Sequence, residues 1–291
     1  MDPWPLVLLV AAALLLQGCA SPPGGKRNPV PLTLDYSSPV DSSLQAKLSR
    51  IDAELRAKYG IEPAQTAAGI LELRQGRLAL IEPDRLFYGA SVPKIAILLA
   101  YFELHPEHAT AVPADIRHEL GLMIKRSSNE MAAKYSQQLG LANIRKVLEK
   151  YDFYDASRGG GIWVGKHYGV SGERIGDPVG DHSHAATVRQ LLRFGLLLEQ
   201  GRLVSPEASR TMKEIFRSPD IRHEQNKFVK GLEGFPVVLL RKSGSWEDWL
   251  HDLAIVHGDG QHYILAALTH HPRGDDYLAG LARAVHQALK Q

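Results

Sequence analysis

The sequence predicts an α/β domain whose sheet is assembled from both ends of the chain and interrupted by an all-helical lobe. Two observations carry this. Extended patterns occur near residues 66–82 and return only at 237–269, while helical periodicity fills most of the chain between about 91 and 216. A two-stranded hairpin is marginal by itself, so the early strands must join the late ones to form a stable sheet.

The elements follow in order. Residues 43–59 place Leu44, Leu48, Ile51 and Leu55 on one face at helical spacing, and Gly60 follows as a stop. Residues 66–73 and 77–82 flank Gln75-Gly76 and read as a hairpin. The run Ile95-Ala-Ile-Leu-Leu-Ala-Tyr-Phe102 has no polar face, so its helix is expected to be buried, with Ser91 in the first turn and Pro93 tolerated there. Helical stretches follow at 113–123, 130–139 and 142–151, then a long Gly-rich loop to Ser183, then helices over 184–200 and 205–216. Strand patterns at 237–241, 250–257 and 263–269 precede a final amphipathic helix over 275–289.

Residues 6–16 are almost wholly apolar but too short to span a bilayer, which needs about 20 residues, so they read as the core of a signal peptide. The stretch before them, Met1-Asp-Pro-Trp-Pro5, carries no Lys or Arg. Leu16-Gln-Gly-Cys19 follows and resembles a bacterial lipobox, in which the chain is cut before a cysteine that becomes lipid-modified. Cys19 is the sole cysteine, so no intramolecular disulfide can form. The expected organisation is a signal peptide over 1–18, a lipidated tether over 19–42 and a folded domain over 43–291; the tether is rich in Pro, Gly and Ser and is not expected to build a core. Ala20 and Ser21 after the cysteine suit sorting to an outer membrane, which places the domain on the periplasmic face of a bacterial membrane. The net charge of +2 comes from basic residues dispersed among acids, and nothing argues for nucleic acid. A monomer is expected.

Three short motifs carry chemistry: Ser91-Val-Pro-Lys94, Ser127-Ser-Asn129 and Lys242-Ser-Gly244. Residues three apart on a helix are neighbours, so Lys94 can take a proton from Ser91. Serine is a weak nucleophile at its free pKa and needs such a base; a lysine serves when burial or other cations, here Lys242, lower its own pKa. The start of the helix also gives Ser91 the positive end of the helix dipole. Singly the motifs are weak signals, and their occurrence together and in this order is the informative fact.

With these residues the chain, from about Ser43 onward, resembles the penicillin-recognising serine hydrolases, above all the class A β-lactamases, whose signature is S-x-x-K, S-D-N and K-[ST]-G. The resemblance implies a β-lactamase/transpeptidase-like fold, an antiparallel sheet flanked by helices plus an all-helical lobe. It implies that Ser91 is the acylated nucleophile, Lys94 its base and Ser127 the relay of a proton to the leaving nitrogen. Asn129 would bond the substrate amide, Lys242 and Ser243 of the Lys242-Ser-Gly244 motif would receive a substrate carboxylate, and the backbone N–H groups of Ser91 and Ser245 would form the oxyanion hole. The expected reaction is acyl transfer on a β-lactam, with D,D-carboxypeptidase or endopeptidase action on D-Ala-terminated peptides as the close rival. A binding protein that keeps the cleft and has lost turnover is the rival from another class. Serine glutaminases share the S-x-x-K logic but are usually cytosolic.

The departures from that family are specific. Ser128 stands where class A enzymes carry Asp. The Glu-x-x-Leu-Asn string, whose Glu activates the deacylating water, does not occur between Asn129 and Ser183; Glu173, Asp177 and Asp181 are the nearby carboxylates in the stretch 171–181. The connection from Ser91 to Ser127 is shorter than is typical. The resemblance therefore implies acylation and leaves deacylation without its usual base.

Lesser features read as structural. Gly160-Gly-Ile-Trp-Val-Gly165-Lys166-His167 nearly spells a phosphate-binding loop, but His stands in place of Ser or Thr and no helix pattern follows, so a loop at the cleft with Trp163 packed inside is expected. The histidine pairs His182/His184 and His270/His271 lack the spacing of a metal motif; no metal and no cofactor are expected. Trp246, Glu247 and Asp248 lie just beyond Lys242-Ser-Gly244, either shaping specificity or forming the turn before the next strand.

Overall fold

The computed structural model describes Met1 and residues 32–290, and Thr33–Gln291 fold as one compact unit. The signal-peptide core, the lipobox and Cys19 lie outside the described residues. Among the described residues no helix is long and apolar enough to cross a membrane.

The helices are α1 (Ser42–Tyr59), α2 (Lys94–Leu104), α3 (Ala114–Lys125), α4 (Asn129–Leu139), α5 (Leu141–Lys150), α6 (Val188–Glu199), α7 (Pro206–Arg217), α8 (Lys227–Gly231) and α9 (Gly274–Ala288). The strands are β1 (Thr66–Glu72), β2 (Arg77–Ile81), β3 (Phe87–Tyr88), β4 (Tyr154–Asp155), β5 (Gly160–Gly161), β6 (Trp163–Val164), β7 (His184–Ala186), β8 (Val237–Trp246), β9 (Trp249–Gly258) and β10 (Gln261–His270).

Strands from the two ends of the chain meet as expected, in an antiparallel five-stranded sheet of order β2-β1-β10-β9-β8. The long-range seam is β1 against β10, with Thr66 opposite Thr269 and Glu72 opposite Tyr263. Leu44, Leu48 and Ile51 of α1 and Tyr277, Leu278 and Leu281 of α9 bury one face of the sheet against Ile70, Tyr263 and Leu265. On the other side α6 approaches so closely that a Cβ at Gly69 would meet Leu192 Cδ1 at 2.7 Å. Helices α2, α3, α4, α5 and α7 pack on one another as the helical lobe. Every residue of α2 from Lys94 to Phe102 is buried, the expected fate of a helix without a polar face.

Several segments differ from the sequence expectation, among them the short strands β4, β5 and β6 within the stretch expected to be a loop, and β8, which runs on to Trp246. The α2 helix begins at Lys94 rather than at Ser91; Ser91–Pro93 form a preceding turn in which Ser91 O accepts from Lys94 N at 3.3 Å. Residues 184–186 do not open a helix but form β7, paired with β3 and β6, and α6 begins behind the N-cap Thr187. The five residues of α8 are too few to show periodicity, so no helix was expected there. The segment 33–41, expected to be the end of the tether, packs on the domain: Leu34 is buried, and Arg189 and Gln190 bond Asp35 O and Tyr36 Oη at 2.8 and 3.1 Å.

Candidate active site

Two backbone positions in the left-handed region bracket the site, Ala90 at φ +46° and Ser127 at φ +57°. Neither has the freedom of glycine, so the surrounding packing holds both conformations against strain. The Ser91 turn is tied to the sheet from below: His251 of β9 is fully buried, donates Nε2–H to Tyr88 O at 2.8 Å and accepts from Thr269 N at 3.2 Å. Burial drives its pKa down to about 3, so it is a neutral structural link at any ordinary pH. Gly244 of β8 lies against the same turn. A Cβ there would stand 3.0 Å from Gly89 O and 3.1 Å from Ser91 N, which brings the Ser91 and Ser245 backbone segments side by side.

The structure brings the three motifs together. Lys94 Nζ donates to Ser127 O at 2.6 Å and to Asn129 Oδ1 at 2.7 Å, and lies 3.4 Å from Ser127 Oγ. Burial pushes its pKa from the ordinary 10.5 down to about 7, with Glu224 acting weakly in the other direction. The two short bonds use two of its protons. The remaining position is a third proton when Lys94 is charged and a lone pair when it is neutral. Asn129, with Oδ1 occupied, keeps its amide N–H donors for a ligand.

Lys242 Nζ donates to Ser127 Oγ at 2.8 Å and to Ser243 O at 2.6 Å. It is fully buried, and its pKa is held well below the ordinary value by burial first, then by Lys94, Arg241 and Lys227. Ser127 Oγ thus sits between two amines. Because a hydroxyl carries one donor and two acceptor positions, accepting from both lysines leaves its own proton for a third partner. Ser128 replaces the family Asp without loss of the local turn: its Oγ accepts from Met131 N at 3.2 Å as the N-cap of α4.

A further cation, Lys227, reaches the back of β8, donating to Gly244 O at 2.9 Å and to Ser245 Oγ, with Asp275 3.8 Å away. Arg241 and Asp252, both buried, pair at 2.8 Å, and Asp252 also accepts from Phe228 N at the start of α8. Lys227, Arg241 and Lys242 thus lie near the fully buried Asp252, with Asp275 and Glu224 as further carboxylates acting on Lys227. This gathering of cations behind the cleft suits a ligand bearing a carboxylate.

The carboxylates of the Gly-rich loop do not reach the cleft. Asp177 is buried and accepts from Val179 N, Gly180 N, His182 N and Tyr154 Oη at 2.6–3.0 Å, so it organises the loop. Asp181 pairs with Arg174 at the surface, and Glu173 is exposed. The cleft, about 400 Å³, is lined instead by Ser91, Asn129, Lys166, His167, Tyr168, Gly169, Ser245 and Trp246 among others, with no carboxylate among its lining residues. Tyr168 closes its floor, donating to Ala90 O at 3.0 Å with Lys94 Nζ 4.5 Å from its ring centre. Burial holds the Tyr168 phenol well above its ordinary pKa, so it stays protonated.

Trp163 is buried and donates to Ile175 O, packing as expected, while Trp246 is exposed at the cleft mouth and Glu247-Asp248 form the β8–β9 turn. His184 bonds Lys166 O at 3.0 Å, His182 lies edge-on to Tyr88, His270 stacks on Trp249 with ring centres 3.7 Å apart, and His271 Nδ1 accepts from Arg273 N at 3.1 Å. The sequence reading missed Lys227, Asp252, His251 and Tyr168; a Lys directly before Phe228-Val229 was the one local hint of a buried cation.

A two-lobed α/β fold with S-x-x-K, S-x-N and K-S-G converging on one cleft defines a β-lactamase-like serine hydrolase architecture. The chain belongs to the Beta-lactamase enzyme family, whose profile matches residues 111–289. The Ser91 turn lies ahead of that match. Solved structures with the same fold include a β-lactamase from Sphaerobacter thermophilus (16% identity, TM-score 0.67, covering 84% of this chain and 96% of that one). A β-lactamase from Xanthomonas campestris is similar (15%, 0.68, 84% and 98%), as is PBP-A (19%, 0.64, 89% and 99%). No curated protein is a match.

Proposed function

We propose that the protein is an acyl-enzyme-forming serine hydrolase that attacks β-lactams through Ser91, held by a lipid on Cys19 at the periplasmic face of a bacterial membrane. The observation that carries the reading is the Ser127 hydroxyl poised 2.8 Å from Lys242 Nζ and 3.4 Å from Lys94 Nζ. Neutral Lys94 takes the Ser91 proton as Oγ bonds to the lactam carbonyl carbon. The oxyanion is met by the N–H groups of Ser91 and Ser245. The C–N bond then breaks as Ser127 passes its proton to the nitrogen and is resupplied from Lys94. Asn129 amide N–H groups hold the side-chain carbonyl, and Lys242 with Ser243 and Ser245 receives the ligand carboxylate. Water finally adds to the acyl carbon and releases Ser91. With no carboxylate lining the cleft, this second half-reaction is the slow one.

A second reading, action on D-Ala-terminated peptides, is supported by β8 being the edge strand of the sheet, where an extended peptide can add as a further strand. Intact-mass analysis after incubation with a penicillin tests the first reading, with Ser91→Ala as control. A mass increase equal to the intact drug, absent in the variant, is expected; no adduct and no drug loss would sink it and leave the peptide reading to be tested with a D-Ala-D-Ala peptide.

A further inference from the structure

At the far end of α2, about 16 Å along the helix from Lys94 given a 1.5 Å rise per residue, His105-Pro-Glu107-His108 turns back on itself in a short 3-10 helix. We propose that His105, Glu107 and His108 form a binding site for a divalent transition metal ion of the Zn²⁺ type.

Among the described residues this is the one place where three such donors converge, with one ligand atom of each lying within 4.8 Å of the others. His105 Nδ1 and Glu107 Oε1 are 3.1 Å apart. A tetrahedral site with bonds of about 2.05 Å spaces its ligand atoms by about 3.3 Å, so that pair is already at coordination distance and the third donor needs a small side-chain rotation. Two imidazoles and one carboxylate form a borderline donor set that suits Zn²⁺, Cu²⁺ or Ni²⁺ and is poorly suited to Mg²⁺ or Ca²⁺, which prefer all-oxygen shells.

Two further features mark a built site. Tyr101, one turn back on α2, bonds His108 Nδ1 through its hydroxyl at 2.5 Å. That bond engages Nδ1 and orients the ring, the role an outer-sphere partner plays for a metal-bound histidine, so Nε2 is the nitrogen assigned to the metal in this proposal. The same tyrosine packs on His105, ring centres 4.7 Å apart, and the two imidazoles lie nearly parallel at 5.6 Å. The site also caps the C-terminal end of α2, where the helix dipole favours a cation, and Glu107, Asp115 and Glu119 make the surroundings of Tyr101 negative. A bound ion would join the last turn of α2 to the 105–108 turn and so clamp the helix whose other end presents Lys94.

The test is calorimetric titration of the untagged, chelator-stripped protein with ZnCl₂, together with melting curves with and without Zn²⁺. One ion bound per chain and a higher melting temperature are expected, with affinity about tenfold or more weaker in His105→Ala, Glu107→Gln and Tyr101→Phe. His105 and Glu107 side chains are 39% and 60% exposed, so their metal-free variants are expected to melt as the parent does, which keeps the comparison valid even if Tyr101→Phe destabilises the fold. No uptake of Zn²⁺, or uptake unchanged by His105→Ala and Glu107→Gln, would overturn the proposal.

Discussion

The protonation of Lys94 sets the pH dependence of the proposed acylation. Burial brings this lysine from its ordinary 10.5 to about 7, so at pH 7 about half the molecules hold a neutral amine, against about one in three thousand for a solvated lysine. The difference is worth about 5 kcal/mol, and it allows an amine to act as a general base near neutrality. Lowering the pH from 7 to 5 is expected to reduce the neutral fraction, and the acylation rate with it, about fiftyfold; above about pH 8 the rate levels off. Rapid-quench mass spectrometry with a penicillin between pH 5 and 10 reads this directly. A rate that climbs steadily to pH 10, as a solvated lysine would give, or that stays flat from pH 5 to 9, would refute the argument.

The same burial leaves a mark on stability. Below about pH 7 Lys94 is protonated in both the folded and the unfolded chain, and the folded state bears the full penalty of enclosing an ammonium. Between about 7 and 10.5 the unfolded chain binds more protons than the folded one, so stability rises with pH and the gain is complete above 10.5. Urea midpoints followed over that range in the parent and in Lys94→Met, where this contribution is absent, should diverge in that direction.

Three further predictions rest on geometry. Gly244→Ala forces a Cβ to 3.0 Å from Gly89 O; it should destabilise the fold by about 1–3 kcal/mol and, by moving β8 from the Ser91 turn, slow acylation more than it weakens ligand binding, read as separate rate and affinity. Asp252→Ala leaves Arg241 buried without its partner and beside Lys227 and Lys242, so a loss of about 3–5 kcal/mol is expected in urea unfolding. Asp177→Asn should loosen the 165–183 loop, seen as faster amide exchange at Val179, Gly180 and His182, while acylation proceeds; an abolished deacylation step with an intact loop would show instead that Asp177 is the missing base.

The parts of the site legible in the sequence are those in which chemistry is local. Ser91 and Lys94 are one turn apart, Ser127 and Asn129 flank an N-cap, and Lys242 to Ser245 run along one strand, so residue type and spacing carry the information. Lys227, Asp252, His251 and Tyr168 come from elements that only the folded topology joins. Asp252 meets Arg241 across the β8–β9 ladder, His251 reaches Tyr88 from another sheet, and Tyr168 reaches Ala90 across 78 residues of chain. The loop carboxylates show the reverse limit. Composition offers Glu173, Asp177 and Asp181 as bases, and only the hydrogen bonds reveal that Asp177 is consumed in building the loop. The same holds for the fold: the periodicity of α1 and the 75–76 hairpin are visible in single windows, whereas β7 is a strand because β3 and β6 flank it.

One cause underlies both the expected speed of acylation and the expected slowness of deacylation. About half of Lys94 is neutral at pH 7 because it is enclosed beside Tyr168, Ser127 and the buried Lys242, with Glu224 alone acting weakly to favour the ammonium form and no carboxylate lining the cleft. A carboxylate placed there would activate water, but its charge would also raise the pKa of Lys94 and take away the neutral amine on which the proposed acylation depends. With that wall as it is, Lys94 would be the base available to both proposed half-reactions. In the proposed acyl-enzyme its two short bonds to Ser127 O and Asn129 Oδ1 would hold its remaining lone pair in a fixed direction, rather than free to follow an incoming water. An acyl-enzyme that forms readily and outlives the mixing time by a wide margin is the outcome this arrangement favours.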